Sequence, residues 1–210
     1  TWESENIPAI MNVWFGGSEA ADAIADVVFG DKAPSGKLTM SIPYNEGQIP
    51  VYYNHMSTGR PMKNDIGRYQ RYASNYFEIP NHPLYPFGYG LSYTTFDYSD
   101  PVLSATSMGQ DGSIDVSFVV TNTGKMEADE IAQLYIHDPV RSIAPPVMEL
   151  KGFERLSLKP GESRKVTFTI TPEMLKFYNY DLDHVAEPGN FEVLVGPSSD
   201  SLKRATFTLR

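Results

Sequence analysis

The amino-acid sequence predicts a mainly β protein. Its principal part is a seven-stranded sandwich of the fibronectin type III or immunoglobulin-like kind, preceded by a βαβ unit and a long irregular connection. Three observations carry that expectation. From Val102 to Leu209, short apolar alternations recur and are separated by turn residues. From Ile7 to Ile42 the pattern reads strand, helix, strand. Between these regions lie ten of the 13 tyrosines, from Tyr44 to Tyr98, in a stretch with little periodicity.

The sandwich can be followed strand by strand. Val102-Leu103 opens it. Ile114, Val116, Phe118 and Val120 alternate on one face, after an Asp111-Gly112 turn and before Asn122-Thr-Gly124. Ala132, Leu134 and Ile136 form the next set. Met148 to Phe153, with Leu156 and Leu158, makes a third segment. Lys159-Pro-Gly-Glu162 then turns the chain into Val166, Phe168 and Ile170. Pro172 to Phe177 reads as one helical turn. Glu187-Pro-Gly-Asn190 is another turn, leading to Phe191, Val193 and Val195, and Ala205, Phe207 and Leu209 close the chain. The Cys–Trp–Cys marks of antibody domains are missing.

Residues 1–43 read differently. Ile7 to Phe15 is a short apolar run ending in Gly16-Gly17, as in a buried strand. Ser18 is placed to cap a helix, with Glu19 and Asp22 in a first turn that favours anions. Ala20, Ala23, Ile24, Val27 and Val28 recur at helical spacing. Gly30 suits a left-handed C-cap, and Pro34 prevents continuation. Lys37 to Ile42 then alternates as a strand. One helix and two strands leave most of a parallel sheet uncovered. Residues 1–43 are therefore expected to be the last piece of a larger α/β domain, rather than a small independent α+β cap. Uncovered sheet surface tends to find a partner, so self-association or loose order is expected here. Residues 44–97 form the tyrosine-rich connection, and residues 98–210 the sandwich.

Composition excludes several function classes. Apolar residues make up 41% and charged residues 20% of 210, which is a globular balance. With 26 acidic and 17 basic side chains the formal charge is −9, which argues against a nucleic-acid partner. No apolar run approaches the ~18 residues of a membrane span. Cysteine is absent, so disulfides and thiolate zinc sites are excluded, although no compartment follows from that.

Candidate chemistry is sparse. Glu19 and Asp22 are neighbours on a helix, but first-turn acids serve the helix dipole. His55, His82, His137 and His184 lack ligand spacing, so no metal site is assigned. Asp181-Leu-Asp183 has oxygens suited to calcium and reads more simply as a solvated turn. Phe15-Gly-Gly-Ser18 precedes a helix N-terminus but lacks a phosphate-loop or nucleophile-elbow pattern. The tyrosine-rich connection is the most suggestive part. Tyr52-Tyr53-Asn54, Thr58-Gly-Arg60 and Tyr69-Gln-Arg71-Tyr72 offer flat rings with polar tips. That mixture suits sugars, and suits equally a loop packed on a neighbouring domain. Arg60 is the one substrate-binding candidate.

Asn6-Ile-Pro-Ala-Ile10, Val13-Trp-Phe-Gly-Gly17, Ala23 to Asp31 and Pro34-Ser-Gly-Lys-Leu38 resemble the end of the α/β sandwich domain of glycoside hydrolase family 3. Gly47 to Asn54 and Thr58 to Pro61 look like the following connection in its bacterial periplasmic β-glucosidase branch. Leu84 to Phe96 is similar to the most recognisable stretch of the family's C-terminal half. Glu149 to Phe153, Leu158 to Glu162 and Glu187 to Phe191 look like its fibronectin type III-like domain.

The resemblance implies a retaining, exo-acting enzyme that removes β-linked glucose or a related sugar from non-reducing ends. It implies an N-terminal barrel with an Asp nucleophile, and an acid/base Glu ahead of the present segment. Neither motif is found here, so no catalytic residue is assigned and the chain alone is expected to be inactive. No cofactor is implied. The expected partners are β-glucosides or oligosaccharides held through the barrel, with no nucleic acid and no membrane. Periplasmic or secreted location follows from the resemblance only. The rival is a stand-alone fibronectin-like module that binds glycans or proteins.

Overall fold

In the computed structural model, which describes residues 1–62 and 69–210, the dominant feature is two facing β-sheets. Two helices come first, α1 (Trp2–Asn6) and α2 (Ala20–Phe29). The strands are β1 (Phe96–Tyr98), β2 (Val102–Leu103), β3 (Ser107–Met108), β4 (Ile114–Asn122), β5 (Ala128–His137), β6 (Glu149–Leu158), β7 (Ser163–Ile170), β8 (Phe177–Tyr178), β9 (His184–Val185), β10 (Gly189–Gly196) and β11 (Lys203–Leu209).

In the first sheet β4 pairs antiparallel with β1, β2 and β7. The second runs β3-β11-β10-β5-β6, with only β3 and β11 parallel. β8 and β9 form a small separate hairpin. All seven expected strand segments are present. β1, β3 and the β8–β9 hairpin are additional, and each is too short to show an alternation. The helical turn after Pro172 is a 3-10 turn, Pro172–Leu175.

Burial follows the period-two rule. Along β4, Ile114, Val116, Phe118 and Val120 face the core, and Asp115 and Val119 face outward. Val193 and Val195 of β10, Leu134 of β5 and Leu156 of β6 meet them from the second sheet. Every member of this core lies between Tyr98 and Leu209. β5 departs from alternation. Its inward residues Ala132, Leu134 and Ile136 are buried, but so are the outward Gln133 and Tyr135. The connection covers them: Tyr53 stacks on Phe87 and meets Tyr135 edge-on, with ring centroids 4.3 and 5.8 Å apart.

Residues 1–43 carry the helix but not the expected ladders. Residues 7–15 form no strand, and in 37–42 only Ile42 bridges, to Tyr85. A strand exists only through its neighbours, and among the described residues none lies beside 7–15. Ser18 does not cap α2; the helix starts at Ala20 without a side-chain cap, its first amide reaching the Gly17 carbonyl. Gly30 does take the left-handed C-cap, with φ +83°. Among the described residues, no helix is long and apolar enough to cross a membrane.

Candidate functional site

A concavity lies where the connection crosses the sandwich. It has a volume of about 640 Å³ and is lined by Tyr52, Tyr53, His55, Thr58, Asn75, Tyr76, Asn81 and Asp200, among others. Its walls are built by backbone pairing rather than by regular elements. Val147 donates to the His55 carbonyl at 2.9 Å, which ties one wall to the segment before β6. Ser74 donates to the Arg60 carbonyl at 2.8 Å, which ties residue 60 to residue 74.

One side chain organises much of this wall. Gln48 is fully buried. Its Nε2 donates to the carbonyls of Pro80 and His82, both at 2.9 Å, and its Oε1 accepts the Tyr44 amide at 2.8 Å. The Tyr76 hydroxyl adds a bond to the Gln48 carbonyl at 2.8 Å. A buried amide with its donors and acceptor all used fixes loop geometry, because leaving any of them unpaired is costly. Sequence reading passed over Gln48, since a glutamine beside a glycine carries no visible pattern.

The described lining of the crevice is rich in aromatic and amide side chains, with Asp200 at its edge. Tyr52 is exposed and offers a free ring edge or face. Asn75 and Asn81 are committed to the loop: Asn75 bonds the Gln70 and Ala73 backbone, and Asn81 bonds Ser74. Arg60 lies exposed between Thr58 and Pro61, both of which line the crevice. Aromatic faces at a concave surface can stack on a sugar, and a guanidinium beside it can hydrogen-bond one; Arg60 itself is not among the residues that line the crevice.

The other candidates are dispersed. Glu19 and Asp22 stand at the exposed start of α2. Asp181 and Asp183 belong to a turn whose amides both donate to the Asn179 Oδ1, at 3.0 and 2.9 Å. Among the described residues, no group of three or more His, Asp or Glu is placed to hold a metal.

A second charged group supports the sandwich rim. Arg141 is nearly buried, with Asp138 at 3.4 Å, Glu149 at 3.2 Å, and the Phe177 ring beneath its guanidinium at 4.7 Å. Burial pushes the Asp138 carboxyl up, and Arg141 opposes that shift. These groups pair with one another and pin the β8–β9 hairpin, which is a structural role.

The fold and the ordered segments define a class. Residues 1–93 match the glycosyl hydrolase family 3 C-terminal domain, and residues 130–199 match the fibronectin type III-like domain. The chain belongs to glycoside hydrolase family 3. It is 50% identical over 207 residues to a periplasmic beta-glucosidase of Salmonella typhimurium, covering 99% of this chain and 27% of that protein. It is 46% identical over 209 residues to a beta-xylosidase of Formosa agariphila, covering 99% of this chain and 28% of the relative. Among solved structures, a variant beta-glucosidase from Listeria innocua bound to laminaribiose superposes with a TM-score of 0.89 at 42% identity, covering 95% of this chain and 27% of that one. A beta-glucosidase from Erythrobacter marinus gives 0.89 at 38% identity, covering 99% and 26%. The chain thus spans about a quarter of the length of the relatives it matches.

Proposed function

We propose that these 210 residues serve as the C-terminal part of a retaining, exo-acting β-glucosidase that removes β-linked glucose or a related sugar. The 50% identity with a periplasmic beta-glucosidase across nearly the whole chain carries this reading. On it, residues 1–43 complete an α/β domain, residues 44–97 connect, and residues 98–210 brace the assembly without doing chemistry. The nucleophile and the acid/base group lie in the portion of the enzyme beyond these residues. That enzyme is periplasmic or secreted. Arg60, beside the aromatic crevice, contributes a sugar contact.

The test is hydrolysis of an aryl β-glucoside by the longer enzyme, with the first product followed by NMR. Release of the β-anomer supports retention. Initial release of the α-anomer, or cleavage only at internal linkages of a glucan, overturns the proposal.

A further inference from the structure

One buried charge in the sandwich is explained neither by the core nor by the crevice. Glu130 sits on β5 in register with Ala128, Ala132, Leu134 and Ile136, the residues that face the core. Its residue exposure is only 3%. A carboxylate at such a position is costly unless paired and hydrogen-bonded. It has two partners. The Tyr98 hydroxyl donates to Oε1 at 2.8 Å, and Lys37 Nζ lies 3.2 Å from the same oxygen. The ammonium also reaches the Gly90 carbonyl at 3.4 Å. Tyr98 belongs to the sandwich, but Lys37 comes from the segment that follows α2.

We propose that Lys37, Glu130 and Tyr98 form a conditional lock, which seats residues 36–42 against residues 84–90 and the sandwich only when the Lys37 cation fills the carboxylate's site. The seat itself is a paired segment. Leu38 donates to Tyr89 at 2.8 Å and accepts from Gly88 at 2.7 Å, and Ile42 and Tyr85 exchange bonds of 2.8 and 3.2 Å. The fit is tight, since a Cβ on Gly90 would stand 2.3 Å from the Gly36 carbonyl oxygen. With the segment seated and the cation gone, the carboxylate keeps a single hydroxyl donor in a dry site. With the segment lifted, water replaces the missing partner and the cost disappears. The sandwich core, Tyr98 to Leu209, contains no residue of the segment, so lifting it leaves that core intact. The lock therefore acts on docking rather than on the folding of the sandwich. It joins Pro34-Ser-Gly-Lys-Leu38 to β5 and, through Glu130, to Tyr98 of β1 by one charge, so the segment after α2 and the sandwich hold one orientation.

Amide exchange on the full chain tests this. Lys37→Met is expected to speed exchange at Leu38, Ile42 and Gly88 by at least about a hundredfold, the size of an uncompensated buried charge. Val116 and Leu134 in the core should stay within about twofold of the parent. Lys37→Met with Glu130→Gln removes both charges and should restore most of the lost protection. The proposal is overturned if Lys37→Met leaves the segment's protection unchanged. It is also overturned if the core amides lose protection in parallel, or if the double variant is no better than the single one.

Discussion

Asp129 stands on the outward face of β5, where Arg155 and Ser157 of β6 both reach its carboxylate. The Ser157 hydroxyl bond is the largest cause holding its pKa below the ordinary carboxylate value, and Arg155 adds to it. A carboxyl whose folded pKa is lowered stabilises the fold above its unfolded value and loses that contribution as pH falls through the folded one. Asp129→Asn is expected to cost about 1 kcal/mol at neutral pH, since the pair is partly exposed. That difference should vanish in acid, as read by urea unfolding of parent and variant across the acid limb. Arg60 is argued at the same scale. In the longer enzyme, Arg60→Ala should raise KM about tenfold with kcat nearly unchanged, as for loss of one charged hydrogen bond made equally in ground and transition states.

Among the elements, β4 was plain in the sequence because one face is dry and the other wetter, so Val116 and Phe118 fall at every second position; β10 places Phe191, Val193 and Val195 inward in the same way, although its outward Leu194 is buried too. Phe118→Ala should cost ~3–5 kcal/mol by opening a cavity between the sheets, measured as a lowered urea midpoint with unchanged slope. β5 was harder to read. Gln133 is buried although polar, because Gly88 brings the connection onto it. Gly88 has φ +79°, and a Cβ there would lie 2.2 Å from the Gln133 Oε1. Gly88→Ala should cost roughly 1–3 kcal/mol through strain and lost seating. The Gln48 bonds and the Glu130 pair escaped sequence reading for the same reason. Their partners lie about 30 to 90 residues away, at Pro80, His82 and Lys37. The expected strand at 7–15 rested on apolar composition alone, and pairing needs a neighbour that composition does not supply.

For the whole molecule, the contrast between its two ends is the main physical fact. None of residues 1–47 is buried, and Ile10, Trp14, Phe15, Val28 and Phe29 present apolar surface to solvent. A patch of that kind marks an interaction face. On the proposed reading the rest of an α/β domain covers it. Both tryptophans, Trp2 and Trp14, lie there and are exposed, so fluorescence of the 210-residue chain should resemble free indole in water and shift blue in the longer enzyme. On the proposed reading these 210 residues support catalysis without supplying a catalytic group. Assay of the purified 210-residue chain with an aryl β-glucoside tests it most directly. No hydrolysis above the uncatalysed rate is expected. Turnover that disappears on substitution of a single Asp or Glu within the chain would contradict it.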